Sequence, residues 1–140
     1  MTLNEFGRFL NTKSVGRVEA PINEQMTERV YTAMKKIGKD TFPLKWIVNT
    51  SEGIQVLRRI DSETFVRMPI KPVLDSGEQL DIEEELIDAL SYYVMAGLEL
   101  QRSKINMGLY WSEIEQNNER LSETYLAEAT NDAPRFHVFP

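Results

Sequence analysis

The chain has 140 residues, of which 41% are hydrophobic and 27% are charged, and its formal net charge is −6. This length predicts one domain, and the ordinary apolar content excludes both a disordered chain and a membrane protein. The sequence contains no cysteine, which excludes disulfides, thiolate zinc sites and cysteine nucleophiles. No apolar run approaches the roughly 20 residues that span a bilayer, and the first residues do not resemble a secretion signal. We therefore expect a chain that stays in the cytoplasm in which it is made.

The two halves of the chain carry opposite charge. Residues 1–74 contain twelve Lys/Arg and eight Asp/Glu, whereas residues 75–140 contain four Lys/Arg and fourteen Asp/Glu. The overall acidity disfavours a general nucleic-acid binder, because phosphates are bound by Lys and Arg. A two-signed molecule suits head-to-tail association between copies. A pair of solvated acidic helices is the simpler explanation of the same pattern.

The N-terminal part predicts two helices. Thr2 and Glu5 have the spacing of a capping box, which predicts a short first helix. Asn23 predicts the cap of a second helix, which we expect to run to about Ile37 and to stop at Gly38.

The middle of the chain changes to β-type patterning. Residues 44–48 and 53–60 are β-branched and partly alternating, and a turn joins them; residues 64–68 predict a further strand. Pro69 and Pro72 end the pairing, because proline cannot donate to a strand ladder. We predict a small antiparallel hairpin or three-stranded sheet in this region.

The C-terminal part predicts two long helices. The first runs from about residue 81 to residue 105 and is broken at Met107–Gly108. The second runs from about residue 109 to residue 129, and Asn117 lies within its apolar stripe. The predicted fold class is therefore mainly α (α+β): a helical bundle with two long C-terminal helices and the β-hairpin or sheet inserted at about residues 44–68. The last helix has the apolar stripe Tyr110, Ile114, Leu121 and Tyr125.

Residues 131–140 predict an extended C-terminal docking tail that follows a single domain of residues 1–130. The tail has two prolines and no helical period, yet it contains Phe136, Val138 and Phe139. Apolar side chains on a terminal segment need a surface to cover them. They either fold back on their own domain or enter a groove of another subunit, with alternate side chains in pockets.

The residues that could support chemistry are few, and we predict neither an enzyme nor a cofactor or metal site. The only histidine, His137, lies in the tail, so one chain cannot assemble a histidine-based metal site or triad. Arg58, Arg59 and Arg67 form a small basic cluster on or beside the strands. They could contact acid on a neighbouring subunit or a passing phosphate backbone, and an ordinary surface-strand pattern is the simpler explanation.

Three segments and a final acidic helix together carry a resemblance to a known family. The segments are Leu57-x-Arg59-Ile, Phe65-Val-Arg-Met-Pro69-x-x-Pro72 and Ile82-x-x-Glu85-Leu-Ile-Asp-Ala-Leu-x-Tyr-Tyr-Val94. With these segments the chain resembles, from about residue 54 to residue 126, the head–tail connector proteins of tailed bacteriophages, which are the adaptor or first-ring proteins beneath the portal. The β portion is larger than in a plain adaptor bundle, which leaves adaptor, connector ring and stopper open.

The resemblance implies a structural protein of the virion neck, assembled in the host cytoplasm. It implies a ring of identical subunits, usually twelve-fold, that extends the DNA channel. The partners would be the portal protein, the next tail or neck ring protein, other copies of the chain and DNA that passes without sequence specificity, with no membrane. It further implies a portal- or ring-docking role for the tail residues Arg135, Phe136, Val138 and Phe139, and inter-subunit or channel contacts for Arg58, Arg59 and Arg67.

Two other functions fit the sequence. The first is a cytosolic adaptor or regulatory module that binds one partner protein through the apolar tail and forms no ring. The second is a nucleic-acid-binding protein whose N-terminal half contacts phosphates, with an affinity that falls steeply with salt. The phosphate contacts in that case would be Lys35, Lys36, Lys39 and Lys45.

Overall fold

The computed structural model describes residues 1–19 and 21–130, with side chains to residue 121, as four α-helices and one three-stranded antiparallel sheet. The predicted mainly α, α+β fold class is thereby confirmed. None of the described helices is long and apolar enough to cross a membrane. The elements are α1 (Leu3–Lys13), α2 (Glu24–Asp40), β1 (Ile47–Val48), β2 (Val56–Arg59), β3 (Phe65–Arg67), α3 (Ile87–Leu98) and α4 (Ser103–Thr130).

Both predicted N-terminal caps are confirmed. The hydroxyl of Thr2 accepts a hydrogen bond from the Glu5 amide at 3.2 Å, and the Glu5 carboxylate accepts one from the Thr2 amide at 2.9 Å. The side chain of Asn23 accepts a hydrogen bond from the Met26 amide at 3.0 Å and begins α2. These contacts satisfy amides of the first helical turn that have no partner within the helix.

The predicted stop of α2 at Gly38 is wrong, since the helix continues to Asp40. The helix instead ends at Thr41, whose backbone is extended, with φ −145° and ψ −173°. Gly38 serves close packing: a Cβ atom at this position would overlap Leu57 and would lie 3.1 Å from the ring of Trp46. The absent side chain therefore lets the sheet approach the helix.

The sheet has three strands in the order β1-β3-β2, so the last strand in the chain is the central one. The three-stranded alternative is confirmed, but residues 44–48 do not form a hairpin with residues 53–60. Residues Leu44–Trp46 form a 3-10 turn, and only Ile47–Val48 pairs, with β3. The turn has a physical reason, because it buries the Trp46 ring completely and lets its indole nitrogen donate to the Asp81 carbonyl at 2.8 Å.

The predicted helix break at Met107–Gly108 is also wrong. A non-helical residue, Glu99, separates α3 from a short 3-10 turn and α4, and α4 passes through Gly108 without interruption. The first helix of the pair also begins later than predicted, at Ile87, after a 3-10 turn at Glu84–Leu86. The two helices pack against each other, with the rings of Tyr93 and Tyr110 at 5.2 Å between centroids.

One apolar core joins all four helices to the sheet. Helix α1 contributes Phe6 and Leu10, helix α2 contributes Val30 and Ile37, and all four side chains are fully buried. The predicted stripe of α4 is buried at its described positions, and Tyr125 lies outside the described side chains. The buried stripe positions are Tyr110, Ile114, Asn117 and Leu121.

Candidate functional site

Asp81 is the centre of a polar cluster beneath the sheet. Its side chain is 8% exposed and accepts two hydrogen bonds from the Arg67 guanidinium, at 2.7 and 3.0 Å. The Ile70 amide donates to it at 2.9 Å, and the Lys45 ammonium lies 3.4 Å away. Burial disfavours charge on Asp81, but the Arg67 guanidinium, the Ile70 amide and Lys45 outweigh burial and hold the pKa of Asp81 below its usual value.

The predicted contact residues Arg58, Arg59 and Arg67 all bond within their own chain. Arg58 donates to the carbonyls of Gly38 and Thr41, each at 2.7 Å, and so satisfies the C-terminal end of α2. Burial lowers the pKa of the Arg58 guanidinium. Arg59 is exposed and donates to the carbonyls of its own turn. The three side chains therefore have separate roles, and the structure does not gather them into one basic surface.

A second polar cluster joins the end of α2 to α4. Thr41 is fully buried; its hydroxyl donates to the side-chain oxygen of Asn118 at 2.5 Å and accepts from the side-chain nitrogen of Asn117 at 2.9 Å. The Tyr110 hydroxyl donates to Asp40 at 2.6 Å, and burial together with this hydrogen bond raises the pKa of Tyr110. Asn117 is thus a buried, bonded position that fixes how α4 sits on α2.

The carboxylates of both clusters are bound by other groups of the same domain. Asp81 is held by Arg67, Lys45 and a backbone amide, and Asp40 is held by Tyr110 and Lys36. Within the described ranges, no group of three or more Asp, Glu or His side chains is placed to hold a metal ion. His137 and the predicted tail contacts Arg135, Phe136, Val138 and Phe139 lie outside the described residues.

Ten large apolar side chains are exposed on the described part of the chain, and five of them form two groups on different elements. We call the first the α4 patch; it consists of Ile105 and Leu109, one turn apart on α4, and of the preceding Leu100, which is 84% exposed. We call the second the loop patch; it consists of Ile70, which is 66% exposed, and Val73, on the extended segment after β3. Adjacent exposed apolar side chains mark surfaces that bind other molecules.

The two patches differ in the charge that surrounds them. Lys104 is exposed in the α4 patch and has no ion-pair partner among the described residues. Asp75 and Glu78 are exposed and likewise unpaired on the segment of the loop patch, which also carries Lys71 in an ion pair with Glu28. The unpaired charges of the two surfaces are therefore opposite in sign.

An open groove of about 450 Å³ lies between the N-terminal helix and the start of α3. The chain's first residue is held there, because the Leu80 amide donates to the Met1 carbonyl at 2.8 Å. We call this feature the N-terminal groove. It is lined by Met1, Phe9, Ile82, Glu84, Ile87 and Asp88.

Sequence reasoning missed the Asp81 cluster and the α4 patch for different reasons. Asp81 stands at the predicted start of the first C-terminal helix, and no local spacing connects it with Arg67. The α4 patch does leave a signal, because Ile105 and Leu109 form a second apolar stripe beside the buried one that contains Tyr110. The buried stripe already packs α4 against the core of the domain, so the second, exposed stripe is additional to what the core requires.

No protein-family model, curated protein or solved structure matches this chain.

Proposed function

We propose that the protein is a structural subunit of a ring beneath the portal of a tailed bacteriophage, where it extends the DNA channel and joins head to tail. The resemblance of residues 54–126 to connector proteins supports the portal-bound role, and the observation that supports a ring is the presence of two exposed apolar patches with unpaired charges of opposite sign on one small chain. The tail, through Arg135, Phe136, Val138 and Phe139, docks on the ring or the portal.

A ring of identical subunits requires two different patches on each subunit. Contacts between unlike patches repeat around an axis and close when the rotation fits. The α4 patch offers Ile105 and Leu109 beside Lys104, and the loop patch offers Ile70 and Val73 near carboxylates. We propose that the α4 patch of one subunit contacts the loop patch of the next.

The charge distribution supports passage of DNA rather than its capture. The formal net charge is −6, and residues 75–140 contain fourteen of the 22 acidic residues. An acidic channel wall repels phosphate, so DNA moves past it without tight contacts. Among Arg58, Arg59 and Arg67, only Arg59 is exposed, so it is the best placed of the three for an inter-subunit or channel contact.

Electron microscopy of the protein co-expressed with the portal-like protein of the same genome tests this function. We expect a symmetric collar added to one end of the portal, because the two patches would close a ring on that template. The matched control is the portal-like protein expressed alone, which should show no collar. Clean separation of the two proteins at low and moderate salt, with no collar, would contradict the proposal and favour an adaptor with a single partner.

A further inference from the structure

We propose that the N-terminal groove of each subunit binds the C-terminal tail of the next copy of this chain. The inference rests on the proposed ring and specifies one of its contacts. The groove has the apolar floor and acidic rim that match the composition of residues 135–139.

Four of the six residues that line the groove are apolar. Ile82 and Ile87 are largely buried by their own domain, so the accessible apolar surface comes mainly from Phe9, which is half-buried, and Met1, which is 37% exposed. An added side chain can contact these two residues without opening the core.

The rim of the groove is acidic. Glu84 is exposed and has no ion-pair partner among the residues that the structure describes, and Asp88 is exposed on the same side and pairs with Lys13. A cation entering with the tail would thus find one free carboxylate and one shared carboxylate.

The tail has the complementary pattern. In an extended segment alternate side chains point the same way, so Phe136 and Val138 can enter the groove together. Arg135 is the only Lys or Arg in residues 131–140, and it directly precedes the apolar pair. Its long side chain can reach Glu84 at the rim while its neighbours occupy the floor.

The length of α4 favours the groove of the next copy over the chain's own groove. Arg120 lies 3.6 Å from Glu85, next to the groove rim, and α4 continues to Thr130. Those ten residues extend the helix by about 15 Å. From Thr130 to Phe136 the chain spans at most about 20 Å when fully extended, so a return of about 15 Å to the same groove leaves only about 5 Å for the reversal.

A crosslinking experiment on the cysteine-free full-length chain tests this contact. One preparation has Asp88→Cys, a differently tagged preparation has His137→Cys, and a short bis-maleimide joins thiols that lie close together. We expect a mixed dimer when the two are combined. The matched control replaces Asp88→Cys with Thr32→Cys, an exposed position on α2. In the mixture, Arg135→Glu should reduce the yield about fivefold, and adding Glu84→Lys on the groove chain should restore it.

Two results would overturn the inference. The first is a mixed-dimer yield no higher than that of the Thr32→Cys control. The second is a crosslink within one chain in the Asp88→Cys, His137→Cys double variant, which would put the tail in its own groove. The crosslink and the collar test different proposals. If a collar forms but no crosslink is found, the proposed ring stands and the tail contact is wrong. If the crosslink is found but no collar forms, the tail contact stands and the proposed ring is wrong.

Discussion

Replacement of Asp81 by alanine is expected to lower the free energy of unfolding by about 3 kcal/mol. The substitution leaves the largely buried Arg67 guanidinium without its carboxylate and removes the acceptor of the Ile70 amide. The expected loss lies at the lower end of the roughly 3–5 kcal/mol range for removing one partner of a buried ion pair, because the Arg67 side chain is 22% exposed. Urea denaturation measures the effect, and Glu78→Ala, which removes an exposed carboxylate of the same segment, is the control.

The ion pair of Asp81 with Arg67 also predicts how the stability of the fold depends on pH. Since the pKa of folded Asp81 is held below its usual value, its contribution is present above the unfolded carboxyl pKa of about 4 and is lost as pH falls further. The difference in unfolding free energy between the parent protein and Asp81→Ala should therefore be constant from pH 7 to about pH 5 and shrink below about pH 4. An Asp81→Ala variant as stable as Glu78→Ala at pH 7 would show that the pair does not stabilise the fold.

The double substitution Ile105→Asp, Leu109→Asp is expected to weaken collar formation about 10- to 100-fold while the domain stays folded. The two side chains are 52% and 40% exposed on α4, so an interface over them can bury only about half of each, or about 0.7–1.5 kcal/mol for each side chain. At 1.4 kcal/mol for each factor of ten, the two losses together amount to about 10- to 100-fold. Titration of the variant against the portal-like protein, read by electron microscopy or sedimentation, measures the loss.

A charge-matched variant separates this effect from simple repulsion. Gln25→Asp, Thr32→Asp adds the same two negative charges on α2, at exposed positions outside both patches. This control should form collars as the parent does. Equal loss in both variants would assign the effect to net charge, and no loss in either would remove the α4 patch from the proposed interface.

Local signals predicted the caps and the fold class, because those features depend on neighbours in the sequence. Thr2 and Asn23 cap helices through amides within three residues of themselves, so their spacing is sufficient. The pairing of β1 was not predictable in this way. It depends on a 3-10 turn whose reason is the burial of Trp46 against Asp81, which is 35 positions away.

The position of the break between the last two helices illustrates the same limit. Gly108 weakens a helix by only about 1 kcal/mol, and the buried stripe that includes Tyr110 and Ile114 outweighs that cost. The break falls at Glu99, whose carboxylate accepts from Arg17 at 2.8 Å and from Asn106 at 3.0 Å. The Arg17 contact joins residues 82 positions apart and leaves no trace in local spacing.

The candidate surfaces also differ in whether local sequence predicts them. The tail is visible as an apolar segment without a helical period, so its docking role stays a prediction from sequence. The separation of Arg58, Arg59 and Arg67 could not be foreseen, because Arg58 is directed by the end of α2 and Arg67 by Asp81. Neighbouring positions in a sequence do not specify which partner a long side chain will find.

The strand order β1-β3-β2 has a consequence for synthesis on the ribosome. The first strand to emerge has no partner until β3 follows it, and the end of α2 has no Arg58 until β2 is out. Helix α1 and the segment after it gain their partners later still, because Lys13 pairs with Asp88 and Arg17 with Glu99. The native contacts of residues 1–59 are therefore completed only after β3 and α3 have been synthesised.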